Sequence, residues 1–593
     1  MARSLSDAIA FVLLALGLGG GCSEPVSKTH LDDVPVGWPD RWVADEQWLG
    51  EGLADASADA IVGLDGGKDA YVMEDVRGYD GGVDGGEDSG VDGGRDGGGD
   101  AGGGRTEGSL PAPPPRVTRR GRSGLLLRGT VLAPTRVIRE GEVLVVGPMI
   151  RCVAESCAAI PEAAEATVVE TNGVISPGLV DAHNHATYNF LPEWRPGRLF
   201  GSRYDWRSDP AYRAHVRPES DGGTRAELVC PATKWAELRS IVHGTTTIQG
   251  QSPRQSCVDR LARNADHYHG LPVRSTTSFA TTISGPCEGT PGSATASPMN
   301  DAWRQARIME WTMGRVTRLA VHLAEGVMGG GSEATDVLRE YACYRGRARH
   351  SIDLLVDSMG RAYGTAVFIH AVGLSRAELS EAHALGAYFV WSPSSNLALY
   401  GRTVDIAHLL EIGAVVALGP DWTVSGEPDM LSEMRFAYAY GQMQGIAGLT
   451  PERIWKMATI DGARVVDLDR SIGTLEVGKR ADIAVFGRLA SDPYRAVLES
   501  RASDVRLVLI DGLGYYGDLV LEEATAVNGW CEDFDACGVP KFLCVANTPG
   551  NPSRAEETYE AIRMQLYRIL QDGYPGGMAY GRGDELEEIV RCP

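Results

Sequence analysis

The sequence has little positive charge and little continuous hydrophobicity. Its 593 residues include 56 lysine and arginine residues against 79 aspartate and glutamate residues, which gives a net charge of −23 at pH 7. Such an acidic chain is poorly suited to binding nucleic acid or an anionic membrane surface. After the N-terminal end, no apolar run reaches the length of a membrane-spanning helix. The length and composition instead predict a globular protein with a large core and more than one domain.

The cysteines lack the spacing of a metal site. Eleven cysteines occur in the chain, and the group near the C-terminus contains no Cys-x-x-Cys pair. That spacing is typical of zinc sites, so its absence favours disulfides over a cysteine metal site. The pairing cannot be deduced from the sequence. The candidates are Cys152 and Cys157, which are close in sequence, and Cys531, Cys537, Cys544 and Cys592.

The one long apolar segment lies at the N-terminus and predicts export. Arg3 precedes the apolar run 8–18, and small residues then lead to Cys22. This order is typical of a signal peptide over residues 1–22. Cys22 resembles the lipidated cysteine of a bacterial lipobox, although Gly19 stands where that motif usually has leucine. The resemblance implies a lipid-anchored protein of the bacterial cell envelope (outer membrane or periplasm), and secretion with an unmodified cysteine is the alternative.

Residues 23–123 lack sustained hydrophobic periodicity. Within them, 81–104 hold 13 glycines and six acidic residues. Such a segment cannot bury enough apolar surface to offset the entropy lost on ordering. A calcium-binding repeat would need a Gly-Gly-x-Gly-x-Asp period, which is missing. The segment is therefore predicted to be a flexible, disordered tether.

Beyond the tether, β-rich flanks enclose a region where apolar strands alternate with helices. Residues 124–172 and 471–520 have β character, and the alternation extends over 173–470. Alternation of this kind predicts α/β structure, here a (β/α)8 TIM-like barrel whose C-terminal strand ends share one face. The two flanks are expected to form one small β-sandwich together. Residues 521–593 are predicted to be a separate cysteine-containing extension with a helix from about 554 to 571.

Seven strands are visible in the barrel region, and the fourth of eight is expected within 285–316. Each visible strand is a short apolar run of the kind that parallel sheets bury. The runs are 175–182, 245–249, 273–279, 319–323, 366–370, 388–391 and 415–418.

The segment 177–185, Pro-Gly-Leu-Val-Asp-Ala-His-Asn-His, ends the first of these strands with two histidines. Residues i and i+2 of a strand point to the same side, so His183 and His185 would face one centre. Two neutral imidazole nitrogens could form half of a zinc-type coordination shell. Because a His-x-His pair also occurs on solvated strands, further ligands are needed to support a metal site.

Polar side chains close three further strands. His322 ends one strand with Glu325 three residues later, His370 ends another, and Asp421 closes a third. A single such residue is often a helix cap or a satisfied polar group. In a barrel, however, all C-terminal strand ends meet on one face, so these residues should lie near the first histidine pair. Three nitrogens and one oxygen would leave a solvent position open for chemistry. The ligand candidates are His183, His185, His322 and Asp421.

Together these motifs resemble the amidohydrolase superfamily. The segment 177–185 is similar to its first-strand signature. The stretches 322–325, 392–401, 419–421 and 475–482 resemble its chlorohydrolase and aminohydrolase branch, which includes adenosylhomocysteine, guanine and triazine deaminases. The resemblance implies a mononuclear metal site with the four ligands named above. Two residues depart from the pattern: Pro420, where threonine or serine is usual, and Gly373, where several deaminases carry a second histidine.

The lysines bear on the number of metal ions. Binuclear amidohydrolases commonly bridge their metals through a carbamylated lysine on a middle barrel strand. No lysine occurs between Lys234 and Lys456, so that bridge is excluded and a single divalent metal is expected. The resemblance implies zinc, with iron as the alternative.

The resemblance implies a metal-dependent hydrolase of non-peptide carbon–nitrogen bonds, either a deaminase or a cyclic amidohydrolase. Asp421 would accept a proton from metal-activated water, His370 would polarise the group under attack, and Glu325 would pass a proton to the departing nitrogen. Glu325 could instead be a carboxylate at a helix start. The alternative functions are a dipeptidase-like amidohydrolase and a tethered binding protein with an inactive barrel.

The expected partner is a small-molecule substrate. Aromatic residues that follow the first strand, among them Tyr188 and Trp206, could line its pocket or simply form loop core, and Arg203 could anchor it. His243 begins a strand, which is the wrong end for a ligand, and it is expected to be structural. Neither the substrate nor the oligomeric state follows from the sequence.

Overall fold

The computed structural model describes residues 109–223, 225–250, 261–266, 271, 277–280, 301–314, 316–329, 336–347, 353–546 and 557–592. The predicted signal peptide, with Cys22, and residues 23–108 of the predicted tether lie outside these ranges. Within them the chain has α/β structure with mixed and parallel sheets. None of their helices is both long and apolar enough to cross a membrane.

The strands are numbered in chain order. They are β1 (Leu110–Pro111), β2 (Arg116–Arg119), β3 (Leu125–Leu132), β4 (Val137–Val146), β5 (Met149–Ala154), β6 (Thr167–Pro177), β7 (Leu179–Asp181), β8 (Thr245–Ile248), β9 (Arg263–Asn264), β10 (Thr277–Ala280), β11 (Arg318–Leu323), β12 (Thr365–His370), β13 (Tyr388–Trp391), β14 (Val416–Leu418), β15 (Ile483–Phe486), β16 (Arg488–Leu489), β17 (Val505–Ile510), β18 (Leu513–Asp518), β19 (Trp530–Ala536) and β20 (Val539–Ala546).

The helices lie mainly between the strands of the barrel region. The α-helices span Pro161–Glu165, Arg203–Ser208, Pro210–His215, Arg217–Gly222, Ala226–Val242, Asp301–Thr312, Glu340–Tyr344, Arg376–Ala384, Pro393–Tyr400, Ile406–Glu411, Met430–Met443, Pro451–Met457, Ile460–Val465, Pro493–Leu498 and Tyr559–Asp572. Short 3-10 helices span Ala186–Tyr188, Val337–Arg339, Ala502–Asp504, Leu519–Ala524 and Gly583–Glu585.

Both flanks of the barrel region contribute to one ten-stranded mixed sheet. Its order is β19-β20-β18-β17-β15-β6-β3-β4-β5, with β2 paired to β6. The flanks join where β15 runs antiparallel to β6, with Ile483 opposite Pro177. Strands β15 and β17 are buried throughout, which explains why their sequences are apolar except at Arg506 rather than alternating.

Two boundaries differ from the sequence expectation. The last part of the predicted tether, 109–123, contains β1 and β2, which pair with β16 and β6. The C-terminal segment 521–593 is not separate, because β20 pairs with β18 and β19 pairs with β20 at the edge of the ten-stranded sheet. These pairings join residues far apart in sequence, and local composition does not reveal them.

Eight parallel strands follow in two sheets, β7-β8-β9 and β10-β11-β12-β13-β14. The ends of β14 and β7 are connected, since Ala182 N donates to Leu418 O at 3.1 Å. The sequence predicted one of the eight strands within 285–316, but the described part of that range contains the helix Asp301–Thr312. The strand that the sequence did not predict is β9, which lies earlier in the chain. Strand β9 has two polar residues and no apolar run, so hydrophobicity could not identify it.

Strands β11 and β12 are buried on both faces, as expected of strands enclosed by helices. Ala320 and Val367 face an inner core that also contains Val180. Their neighbours Val321 and Phe368 belong to the larger core shared with the helices. This alternation makes the strands rigid supports for the polar residues at their C-terminal ends.

Disulfides account for the predicted C-terminal cysteine group. Cys531 pairs with Cys544 across β19 and β20, and Cys537 pairs with Cys592 near the end of the chain. Cys152 pairs with Cys157. These bridges agree with the preference for disulfides over a cysteine metal site.

A buried ion pair connects the parallel strands to the ten-stranded sheet. Arg263 in β9 donates from Nε and Nη2 to the two carboxylate oxygens of Asp482, at 2.6 and 2.9 Å. The backbone N–H of Asp511 also donates to Asp482, at 2.9 Å. Asp482 ends the family-like stretch 475–482, and its role in the structure is to join the two sheets.

We expect Asp482→Asn to destabilise the protein by about 3 kcal/mol, because it removes the charge of the carboxylate that holds the buried Arg263 guanidinium through two hydrogen bonds, and leaves Asp511 as its remaining anionic partner. Chemical denaturation followed by circular dichroism would measure the shift in midpoint. Asp533→Asn, at an exposed position on β19, is the matched control and should change stability by less than about 0.5 kcal/mol. Equal midpoints for the two variants would contradict the assigned role.

Candidate metal centre

Five side chains meet at the C-terminal ends of four parallel strands. One ligand atom each from His183, His322, His370 and Asp421 lies within 4.8 Å of the others, and all four residues are buried. His185 Nε2 lies 3.2 Å from His322 Nε2 and 3.4 Å from Asp421 Oδ1. The structure therefore brings together every residue that the sequence predicted for the metal and its chemistry, with Glu325 beside them.

Hydrogen bonds between backbones hold the first and last strands of the centre in register. Asp421 N donates to His183 O at 3.1 Å, and His185 N donates to Asp421 O at 2.7 Å. Gly419 permits this approach, since a Cβ there would lie 2.6 Å from His183 N. Asp421 and His370 have left-handed backbones, with φ of 72° and 66°. Strained non-glycine residues of this kind cluster at functional sites.

Asp181 orients the turn that carries the histidine pair. Its carboxylate accepts hydrogen bonds from His183 N at 3.1 Å and from Asn184 Nδ2 at 2.6 Å. Asn184 in turn accepts from Asn189 Nδ2 at 2.7 Å. Burial raises the pKa of Asp181 to about 7. Asp181 and Asn184 lie within the motif itself, but its spacing did not indicate their supporting role.

The Asp421 carboxylate is oriented by two serines. Oδ2 accepts a hydrogen bond from Ser395 Oγ at 2.6 Å, and Ser395 contacts Ser425 Oγ at 2.8 Å. Oδ1 faces the histidines, 3.1 Å from His183 Nε2. Burial opposes ionisation of Asp421, but the hydrogen bond with His183 and the surrounding imidazoles outweigh it and hold its pKa well below the usual range. The departure at Pro420 therefore leaves Asp421 in the site.

A chain of hydrogen bonds sets the tautomer of His370. Asn396 Nδ2 donates to Thr403 Oγ1 at 3.0 Å, so its Oδ1 is the atom that faces His370 Nδ1, also at 3.0 Å. His370 Nδ1 therefore carries the hydrogen, and Nε2 presents a lone pair to the centre. Nε2 is buried and has no hydrogen-bond partner in the described part of the chain.

These observations fit a divalent metal ion. His183, His322 and Asp421 offer ligand atoms within 4.8 Å of one another, and His185 Nε2 lies 3.4 Å from Asp421 Oδ1, so together they form a nitrogen and oxygen donor set that zinc-type ions prefer. Burial lowers the pKa of His370, takes that of His322 well below its usual value, and lowers that of His185 to about 3. Neutral imidazoles are the form that ligates a metal. The group could therefore hold a metal ion.

Glu325 lies beside the centre and is buried. Its Oε2 is 3.9 Å from His370 Nε2 and 4.0 Å from Arg203 Nη1. Its Oε1 accepts a hydrogen bond from the Tyr400 hydroxyl at 2.7 Å. No helix begins at Glu325, so the alternative of a carboxylate at a helix start does not apply.

Arg203 supports the site rather than lining a pocket. It is 1% exposed and donates from Nη2 to Glu340 Oε1 at 2.5 Å and from Nη1 to His322 O at 3.3 Å. Burial raises the pKa of Glu340 to about 7, against the opposing effect of Arg203. The sequence suggested Arg203 as a substrate anchor, but the side chain is buried and both of its terminal nitrogens donate to protein groups.

Aromatic rings border the half-exposed side of the centre. The ring of Trp422 lies 5.3 Å from His185 and 5.1 Å from Tyr188. Trp206 packs behind Trp422 at 5.7 Å. His243 lies elsewhere, with Nδ1 2.8 Å from Arg239 O, which agrees with a structural role.

Parts of the chain are similar to known proteins. Residues 344–513 match the amidohydrolase family model, a segment that contains His370, Asn396 and Asp421. A 5-methylthioadenosine/S-adenosylhomocysteine deaminase of Desulforudis audaxviator is 30% identical over 204 residues, 33% of this chain and 45% of the relative. The enzyme of the same name from Moorella thermoacetica is 26% identical over 380 residues, 58% of this chain and 82% of the relative.

The adenosine deaminase of Xanthomonas campestris, solved with bound zinc, superposes with a TM-score of 0.47 at 21% identity, covering 67% of this chain and 93% of that one. The alignment with the Desulforudis relative spans less than half of that protein. Residues 344–513 therefore match the amidohydrolase family model, and the chain is similar over part of its length to 5-methylthioadenosine/S-adenosylhomocysteine deaminases.

Proposed function

We propose that this protein is a metal-dependent hydrolase of non-peptide carbon–nitrogen bonds, of the deaminase or cyclic amidohydrolase type. The observation that carries the proposal is the convergence of three histidines and Asp421 within 4.8 Å, with Glu325 at the edge of the group. Relatives named as deaminases support the reaction type. The substrate would be a small molecule.

The proposed architecture is a (β/α)8 barrel over 173–470, with a small β-sandwich formed from 124–172 and 471–520. The eight parallel strands and the hydrogen bonds between the ends of β14 and β7 support closure of the barrel. The shared ten-stranded sheet and its own hydrophobic core, which contains Leu127, Val143 and Leu507, support the composite domain. In a barrel, the metal centre would occupy the usual catalytic face.

We propose one divalent metal, zinc, held by His183, His185, His322 and Asp421. Such an ion polarises a water molecule and brings the pKa of that water towards ~7. The serine hydrogen bond to Oδ2 leaves Asp421 Oδ1 directed at the centre, where it can accept a proton from the attacking water. Neutral His370 faces the same space through Nε2 and can polarise the substrate group under attack.

Glu325 would supply the proton that the departing nitrogen needs. Its Oε2 borders the same space as His370 Nε2, within 3.9 Å. General acid–base catalysis by a positioned carboxyl group is worth about 10²- to 10⁴-fold. The division of labour is therefore between Asp421 at the attacking oxygen and Glu325 at the leaving nitrogen.

The site is built without the second histidine of several deaminases. A Cβ at Gly373 would lie 2.8 Å from Leu338 Cδ2 and 2.9 Å from Gly326 O. Gly373 N also donates to Ala324 O at 2.8 Å, which fixes this backbone against the strand β11 loop. A histidine would need the backbone to move, so the substrate is expected to differ from those of deaminases that use this residue.

Metal analysis and a substrate panel test the proposal. The purified protein should contain about one equivalent of zinc or iron, and less than about 0.3 equivalents would favour an inactive barrel. Ammonia release would then be measured with purines, pyrimidines and triazines, and ring opening would be measured with cyclic ureas. Hydrolysis of dipeptides would be measured for comparison. Turnover of dipeptides alone would replace the proposal with the dipeptidase-like alternative.

Two histidine variants separate ligand from catalyst. His185→Ala should retain less than about 0.1 equivalents of metal, because it removes a proposed ligand. His370→Asn should keep its metal and lose about 10²-fold in kcat, because it removes only the polarising group. His383→Ala, on the helix Arg376–Ala384, controls for loss of an imidazole elsewhere. Metal loss from His370→Asn alone would place His370 among the ligands instead.

We also propose that the protein is exported and anchored through a lipid on Cys22. The disulfides Cys531–Cys544 and Cys537–Cys592 support an oxidising compartment. Cys22→Ser should release the protein from the membrane fraction, as judged by immunoblotting of fractions. Equal membrane association of both forms would contradict the anchor.

A further inference from the structure

A buried series of hydrogen bonds runs from Trp206, on the helix Arg203–Ser208, to the Glu325 carboxylate beside the metal centre. Trp206 Nε1 donates to the Tyr400 hydroxyl at 2.6 Å, and that hydroxyl donates to Glu325 Oε1 at 2.7 Å. The exposed fractions of the three residues are 6%, 3% and 4%. The three residues come from distant positions in the sequence, and the series is closed to solvent.

The hydrogen bonds of this series can have only one donor-to-acceptor direction. An indole N–H donates and never accepts, so the Tyr400 oxygen must accept from Trp206. The single hydroxyl hydrogen of Tyr400 is then directed at Glu325 Oε1, since these are its two hydrogen bonds in the described part of the chain. Oε1 is therefore occupied by an incoming donor.

The other oxygen of Glu325, Oε2, faces the candidate metal centre. Oε2 lies 3.9 Å from His370 Nε2, the orphaned nitrogen of the centre. Arg203 Nη1 is 4.0 Å from Oε2, an ion-pair distance that is too long for a hydrogen bond, so in the described part of the chain the hydrogen bond that orients this carboxylate comes from Tyr400. The hydrogen bond from Tyr400 therefore holds Oε1 away from the centre and leaves Oε2 directed at it.

We propose that Tyr400 is a positioning residue that holds Glu325 with Oε2 as the atom that gives up the proton. This inference rests on the proposed hydrolase function. Water supplies the hydroxyl group that replaces nitrogen on carbon, and the proton released by that water goes to Asp421. Oε2 donates its own proton to the leaving nitrogen as the carbon–nitrogen bond breaks. Transfer of the proton from Asp421 back to Glu325 then restores both groups.

Tyr400→Phe removes only the hydroxyl and should lower kcat by about 10- to 100-fold, because its hydrogen bond to Oε1 strengthens as Oε2 gives up the proton and the carboxylate becomes charged. The KM should stay within about twofold and the metal content should not change, because substrate and ligands do not contact the hydroxyl. Tyr438→Phe, a partly buried tyrosine on the helix Met430–Met443, is the matched control. A general loss of structure would instead change KM, metal content and thermal midpoint together.

A double-mutant cycle tests whether Tyr400 acts through Glu325. In a Glu325→Gln background, Tyr400→Phe should cost less than about twofold further, because the catalytic proton is already absent. Losses that multiply across the two sites would overturn the proposal. Unchanged kcat in the single Tyr400→Phe variant would overturn it as well.

A spectroscopic measurement tests the series without turnover. Indole N–H resonances of ¹⁵N-tryptophan-labelled protein would be assigned with Trp206→Phe, and the Trp206 proton should move upfield in Tyr400→Phe as its acceptor is lost. An unmoved resonance would contradict the hydrogen-bonded series. Wild-type protein that releases no product would contradict the proposed function instead, so the two failures are distinguishable.

Discussion

Asp421→Asn is expected to lower kcat/KM by at least about 10³-fold, the largest effect of any single change at the site. Asparagine keeps the shape of the side chain and can still accept the hydrogen bond from Ser395. It has no negative charge for a metal ion and cannot take a proton from water. Steady-state kinetics and metal analysis of the same preparation would show both losses together.

The control for Asp421→Asn is Asp405→Asn, the same chemical change at the residue that caps the helix Ile406–Glu411. It should change helix stability by less than about 1 kcal/mol, because asparagine caps a helix about as well as aspartate, and leave turnover near that of the wild type. Near-normal rates in Asp421→Asn would refute the proposed site. Loss of activity in both variants would show a requirement for folding rather than for chemistry, which thermal denaturation would reveal.

Glu325→Gln is expected to lower kcat by about 10²- to 10⁴-fold while the metal content stays unchanged. Glutamine can accept the hydrogen bond from Tyr400 through its carbonyl oxygen, so the side chain should stay in place. It has no proton to give to the leaving nitrogen. Retention of metal distinguishes this variant from Asp421→Asn and assigns the two carboxylates different roles.

The leaving group sharpens this second prediction. A substrate whose leaving group departs as a stable anion needs no proton, so it should lose much less rate in Glu325→Gln than an amine-releasing substrate. Glu378→Gln, in the capping box of the helix Arg376–Ala384, is the matched control. Equal losses for both kinds of substrate would show that Glu325 does not act as the general acid.

Several features of the fold were predictable because they depend on local pattern. The β character of residues 124–172 was predicted, and β3 and β4 lie within that range. Strand β9 was not, because its position depends on the buried pair between Arg263 and Asp482 rather than on its own hydrophobicity. The pairing of β20 with β18 was missed for the same reason: a partner far away in sequence decides it.

The grouping of the histidines and Asp421 at one centre was predictable from spacing. His183 and His185 lie two residues apart at a strand end, and strand periodicity alone directs both towards one side. His322, His370 and Asp421 each close an apolar run, and parallel strands gather such ends on one face. The sequence by itself therefore determined which residues are available for a metal and for proton transfer.

Only the tertiary structure decided how those residues are aimed. Ser395 orients Asp421, Asn396 sets the tautomer of His370, and Tyr400 selects the oxygen of Glu325 that faces the centre. None of these contacts follows from periodicity, because each joins side chains between 26 and 75 residues apart in the chain. Hydrogen bonds depend on angle and distance within a few tenths of an ångström, and only the packed fold supplies that precision.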